Sequence, residues 1–388
     1  MPAGAKTARN RKPVDRDRVV MALGGPVLAL GVAVLLTSAV LLASGRNPVE
    51  PYVLMIEYAA NADIQVLILN QATTYYIAAL AVAVGFRMNL FNIGVDGQYR
   101  LAAMIAAVAG AAVTLPAPLH VLFIMVVAAL TGAFWAGIAG LLKTTRGVSE
   151  VVSTIMLNAI ATSVIAYLVL PGQFGEQRGN NLTTGQIPES GWFPNFDMGP
   201  GGEIHGFVVV AVLLGVAYWM VLNRTRFGFD LRATGASQSA AAASGVNAKR
   251  MVFTSMVISG GVAGLAGMPV LLGSSHTYSL VFPAGIGFTG ITIALLGRNH
   301  PVGIALGALL IAFLDKASAT LDYSGYEKEI ATIMQGLIVI AVVVSYEAVR
   351  RYGLRRQQQK VGEELAAAAA ADDGPGAHHE NASKGASA

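Results

Sequence analysis

Uncharged apolar stretches recur between residues 19 and 345, separated by short polar connections. The first, residues 19–42, holds no charged side chain. At about 1.5 Å of rise per residue, roughly 20 residues cross the ~30 Å hydrocarbon core of a bilayer. The pattern predicts an all-α polytopic membrane protein with about ten transmembrane helices. Their centres fall near residues 19–44, 64–84, 98–114, 118–142, 149–171, 206–222, 251–273, 281–297, 301–315 and 330–347, each bound uncertain by about four residues. The third, eighth and ninth are short, and re-entrant geometry stays open for them. Two longer polar segments interrupt the series, at 172–205 and 223–250. A basic tail (1–18) precedes the membrane region (19–347). The charged and alanine-rich tail at 348–388 has too little apolar content to fold alone and is expected to be disordered.

Charge sets the orientation. With the amino terminus in the cytoplasm and alternating spans, only Arg46, Arg178, Lys316 and Lys328 of the 26 Lys and Arg fall outside. Arg87 and Arg100 count with the inner set. Such a bias is the positive-inside pattern, and it favours an even number of spans with both termini in the cytoplasm. It also explains the pI of 9.2 without nucleic acid. Charged residues make up only 12% of the chain, about half the share usual in soluble domains. The 44 glycines suit helices packed backbone to backbone. Absence of cysteine removes disulfides, thiol catalysis and cysteine-ligated metal. The six histidines are scattered, so no metal site or catalytic constellation is expected. The basic start before residue 19 resembles a secretory signal, but the apolar run exceeds the roughly 7–15 residues of a signal core. It reads as an uncleaved first helix, with Ala39–Ala43 the one region where cleavage stays open.

None of the eight lysines follows a glycine, so no Walker A sequence can be written. If transport is driven by ATP, another chain hydrolyses it, and this chain is not an enzyme.

Four stretches carry chemistry. Residues 85–98, GFRMNLFNIGVDGQ, set Asn89, Asn92, Asp96 and Gln98 among glycines between two apolar runs. Broken helices of this kind line transporter cavities, and they also make ordinary turns. Residues 147–158 put Glu150 in a first helical turn, where the helix dipole alone accounts for it. Thr154 and Asn158, four apart, share a face with Ser153 adjoining, which either binds a neighbouring helix or lines a path. In 223–250, Ser237 is placed to cap a short helix running through Ser244, with Gly245 as its stop. So short a helix needs a surface to lean on, either a partner's groove or its own helix ends. Residues 282–301 hold Gly285, Gly287, Gly290, Thr289 and Thr292, and form a weak counterpart of 85–98. His300, beside Pro301, reads as an interfacial loop residue.

Three of these stretches together resemble a known family. FNIGVDGQ (91–98), EVVSTIMLN (150–158) and LRATG…AAAASG (231–245) match, in order, the permease subunits of ABC importers of the sugar and nucleoside type, and most nearly the nucleoside branch. The resemblance implies a type II importer architecture and an importer of nucleosides, with simple sugars as the alternative cargo. It implies cytoplasmic ABC ATPase subunits, a second permease subunit, an extracytoplasmic substrate-binding lipoprotein and a bacterial inner membrane as the setting, with lipid around the chain and no cofactor. It implies that 172–205 lies outside the cell and that 230–247 couples to the ATPase through Arg232, Gly235, Ser237, Ala240, Ala241 and Gly245. Asn89, Asn92, Asp96, Gln98, Thr154, Asn158 and Thr289 are the expected substrate path. A secondary transporter or channel acting alone is the rival class. It would need buried ion-coupling carboxylates, whereas Asp96, Glu150 and Asp315 fall near predicted helix ends.

Overall fold

The computed structural model describes residues 31–326 and scattered positions between 332 and 365. The basic tail at 1–18, the first part of the 19–44 span, Lys328 and everything beyond 365 lie outside the described residues. The span expected at 330–347 is described only in part. Where positions between 348 and 365 are described they are helical, although disorder is expected there. That stretch is rich in Leu, Glu, Gln and Arg, strong helix formers that an argument from apolar content alone overlooks. The chain divides into two units. The smaller, Met1–Pro48 with Gly336–Ala388, contributes helix α1, Gly31–Ala43. The larger, Val49–Gln335, holds everything that follows.

The larger unit begins with α2, Glu50–Ala59, a helix hidden from the hydropathy pattern by its two glutamates. The main helices are α3 Ala62–Phe86, α4 Val95–Ala112, α5 Ala117–Arg146, α6 Glu150–Leu168 and α7 Phe207–Arg224. Then come α8 Arg226–Ala236, α9 Gln238–Ala243, α10 Ala248–Leu265, α11 Met268–Val270, α12 Ile286–Leu296, α13 Pro301–Ala317 and α14 Ala319–Tyr323. Among the described residues, six helices are long and apolar enough to cross a membrane: α3, α5, α6, α7, the continuous stretch Ala248–Ser275, and Pro301–Tyr323. The expected ten are not reached among these residues. α12 has 11 residues, about 16 Å, or half the hydrocarbon thickness.

Small residues set the tightest crossing. Ala128, Gly132 and Ala136 on α5 meet Gly260 and Gly264 on α10, all at four-residue spacing. A Cβ on Gly132 or Gly264 would collide with the facing backbone, so the two helices pack main chain to main chain.

The polar segment at 172–205 departs from an all-α fold. It forms two hairpins, β1 Gly175–Arg178 with β2 Asn181–Thr184, and β3 Asn195–Asp197 with β4 Glu203–His205. Stretches this short carry no alternating pattern to reveal them. Backbone bonds from Ile187 N to His276 O (3.0 Å) and Phe193 N to Leu272 O (3.0 Å) stitch this cap to the chain after α10. Trp192 stacks on His276 at 3.9 Å. Asn70 of α3 donates to Glu203 O (2.9 Å) and accepts from His205 N (2.8 Å). Burial lowers the imidazole pKa of His205, and Glu203 partly opposes that.

Candidate functional site

Where α3 ends, the chain doubles back into the helix assembly. Leu90 N donates to Gly85 O (3.0 Å), which returns Asn92 to the flank of α3. There Asn92 and Gln98 exchange both amide bonds, Nδ2 to Oε1 at 3.0 Å and Nε2 to Oδ1 at 2.9 Å. Asn92 also accepts from Gly94 N (3.1 Å) and donates to Ser259 of α10 (2.9 Å). The Ser259 hydroxyl in turn donates to Ala81 O (2.6 Å). All three side chains are buried. The turn from 87 to 94 is thus fixed to three helices through groups that satisfy one another. Removing one member would strand the rest, at about 1–3 kcal/mol for each unanswered group.

α4 and α6 face each other through three successive rungs. A Cβ on Gly94 would touch Thr154 at 3.0 Å, and one on Gly97 would press on Asn158. Asn158 bridges the helices, donating to Ile93 O (2.9 Å) and accepting from Gly97 N (2.9 Å). On the third rung Arg100 donates to Thr162 (3.3 Å). The Thr154 hydroxyl is spent on Glu150 O (2.7 Å) within its own helix. Glu150 starts α6 and is paired with Lys143.

Asp96 joins the two glycine-rich stretches. Its Oδ1 accepts from Gly285 N (2.8 Å) and Gly287 N (3.3 Å), so a carboxylate closes the positive end of the half-length α12. A Cβ on Gly287 would collide with the Asp96 backbone. The Tyr99 hydroxyl donates to Pro283 O beside it. Thr289 lies one turn into α12, half-buried, bonded back to Gly285 O (3.3 Å).

Asn92, Asp96, Gln98, Thr154 and Asn158 are therefore brought together, and Thr289 lies close by on α12. Asn89 is not with them. It is exposed, takes a left-handed φ of 54°, and donates to Gly235 O of α8 (3.0 Å). Gly235 lies so close to the turn that a Cβ there would collide with Arg87 O. Ser237 caps α9 by accepting from Ala240 N (3.3 Å), and Gly245 follows at φ +86°. Ala241 is buried against the chain, Ala240 is exposed, and Arg232 is half-buried. Arg87 and Tyr218 both donate to Asn299 O, at 2.7 and 2.8 Å, joining the turn to the α12–α13 connection.

Sequence reasoning missed Ser259, Tyr99 and Arg100. Ser259 is a lone hydroxyl in an apolar run, and nothing in the sequence marks its partner. Arg100 was legible: it lies four residues after Asp96, the spacing of a helical ion pair. It sits inside α4, 3.9 Å from Asp96. A separate groove of about 510 Å³ runs between α3, α7 and α13. Its wall is mainly aliphatic, with Val212 and Trp219, and suits no hydroxyl-rich solute. Among the described residues no group of three potential metal ligands occurs.

The sequence matches the family described as "Branched-chain amino acid transport system / permease component" over residues 64–343. The chain belongs to this permease family. Among its relatives, the guanosine ABC transporter permease protein NupP of Bacillus subtilis is 35% identical over 82% of this chain and 90% of the relative. The glucose ABC transporter permease protein TsgB13 of Haloferax volcanii is 30% identical over 86% and 90%. The nucleoside ABC transporter permease protein NupB of Lactococcus lactis is 29% identical over 83% and 90%. No solved structure matches. The permease is thus a membrane-integral transport subunit, and the polar cluster described above lies wholly within the matched region.

Proposed function

We propose that this permease is the membrane subunit of an ATP-driven importer of nucleosides in a bacterial inner membrane. The observation that carries the reading is the match along most of the chain to guanosine and nucleoside permeases. A glucose permease at 30% identity makes simple sugars the second reading. Ten spans with both termini in the cytoplasm agree with the distribution of Lys and Arg. Two permease chains, two cytoplasmic ATPases and an extracytoplasmic binding lipoprotein complete the machine.

The coupling set is Arg232, Gly235, Ser237, Ala240, Ala241 and Gly245. α8 touches the 87–89 turn through Gly235 and Asn89, and that turn leads directly to Asn92. Motion imposed on α8 by an ATPase therefore reaches the buried amides by a path of two contacts. The transport path runs along Asn92, Asp96, Gln98, Thr154, Asn158 and Thr289. Their side chains largely bond one another or the backbone, so they shape the wall more than they hold solute. Alternating access by rocking of rigid helix groups fits such a wall.

Vesicles containing the full transporter are expected to accumulate labelled nucleoside only with internal ATP. Accumulation of glucose in its place would overturn the cargo. Accumulation against a gradient by the permease chain alone would overturn the coupling.

A further inference from the structure

The stretch 85–98 reaches α12 at both of its ends. Asp96 closes the start, through Gly285 N and Gly287 N. Just past the last turn, the Arg87 guanidinium donates from Nη2 to Asn299 O at 2.7 Å. A carboxylate at the start of a helix and a cation at its finish are the signs that the helix dipole favours. Between these ends α12 lies on bare main chain. A Cβ on Gly287 would collide with the Asp96 backbone, and one on Gly290 would press on α3 at Ala78 and Ala79. The corner that follows is equally tight. Arg298 and Asn299 both take a left-handed φ of 54°, and a Cβ on Gly297 would collide with Ile304 N of α13. Backbone packed on backbone leaves α12 and the first turn of α13 little room to slide against 85–98.

Arg87 also stands at a second junction. Its own carbonyl is what a Cβ on Gly235 of α8 would strike, and Asn89, two residues on, donates to Gly235 O (3.0 Å). The main chain of Arg87 thus meets α8 while its side chain holds the α12–α13 corner. Tyr218 of α7 donates to the same Asn299 carbonyl at 2.8 Å, and its hydroxyl is in hydrogen-bond contact with the guanidinium. A hydrogen bond from a charged donor is roughly twice as strong as a neutral one, so Arg87 is the firmer of the two ties.

We propose that Arg87 is a positioning residue that carries motion of α8 to α12 and α13, so that the half-length helix moves as one body with 85–98 during the transport cycle. This rests on the reading of α8 and α9 as the contact with the ATPase. It is a second branch, separate from the one that ends at Asn92. Because Asp96 holds the far end of α12, a pull on 85–98 translates the helix instead of tipping it.

The test is the amount of nucleoside moved per ATP hydrolysed by the complete transporter in vesicles. Arg87→Met removes the tie, while Tyr218 still answers Asn299 O, so the variant is expected in the membrane at normal abundance. Hydrolysis should continue near the wild-type rate, and nucleoside moved per ATP should fall about tenfold, the weight of one charge-assisted hydrogen bond. Arg87→Lys keeps a cation, and a single carbonyl needs no fork, so the ratio should return to within about threefold of wild type. Arg87→Gln, shorter and neutral, serves where the methionine variant is scarce and should show the same fall. A wild-type ratio without the Arg87 charge overturns the proposal, and so does a parallel fall of uptake and hydrolysis, the mark of a purely structural role. Gly235→Val separates this from the underlying reading. If it cuts the ratio and Arg87→Met does not, only the second branch is lost; if neither changes the ratio, both readings fall.

Discussion

The turn at 87–94 and the segment at 237–245 are joined through α8, yet they are built on opposite terms. In the turn, Asn92 bonds Gln98, Gly94 and Ser259 and has almost no solvent exposure. In the segment, a six-residue α9 is closed by its own Ser237, buries Ala241, and turns Ala240, Ala242 and Ala243 outward. The first has its shape imposed from within the chain. The second has a small-residue face left exposed among the described residues, and a helix of that length is not stable by itself. The difference separates a part fixed by its own buried bonds from a part with an open face, and Gly235 and Asn89 join them.

The comparison can be broken at its rigid end first. Asn92→Ala should cost about 2–4 kcal/mol, since Gln98, Ser259 and Gly94 N all lose a buried partner. Thermal unfolding in detergent should show it as a clearly lowered Tm, and an unchanged Tm would mean that the amide cluster is not the lock. At the joint, Gly235→Val forces α8 away from Arg87. ATP-dependent uptake should fall at least about tenfold, the equivalent of about 1.4 kcal/mol, while membrane abundance stays normal. Uptake at the wild-type rate would disconnect the two regions. On the open face, Ala240→Glu should weaken binding of the ATPase subunits in pull-down by several-fold and leave the Tm within about 0.5 kcal/mol of wild type. Equal binding would show that this face has no partner. The smallest effect belongs to the opposite end of the molecule. Burial favours neutral His205, so its contribution to the cap is present above the ordinary histidine range near pH 6.5 and is lost as pH falls below it. Hydrogen-exchange protection in residues 193–205, the observed rate taken relative to the intrinsic rate at each pH, should fall modestly at pH 5 relative to pH 7.5.

Much of this architecture could be read from the chain. The long apolar runs became α3, α5, α6, α7 and the Ala248–Ser275 helix because length and hydropathy leave a membrane segment few alternatives. Ser237 and Gly245 marked both ends of α9, since capping is decided by local chemistry. The hairpins at 175–205 were hidden because their strands are three or four residues long and are held by distant groups such as Asn70 and His276. The clustering of Asn92 with Gln98 was within reach of spacing. Ser259 was not, because that bond spans 167 residues and depends on how α10 crosses α3. Asn89 was grouped with Asn92 by proximity in sequence, but one left-handed residue turns it to the other side of the bend.

α12 leaves one column of the assembly only half filled by helix. The remainder is irregular chain, 276–285, with Tyr278 and Phe282 stacked inside it. Two attachments from α4 hold its lower end: the Asp96 carboxylate and the Tyr99 hydroxyl. Tyr278 exchanges two bonds with Thr184 of the cap, so this ten-residue strap ties the cap, α4 and the start of α12 together, and a shift in any one of them pulls on the other two.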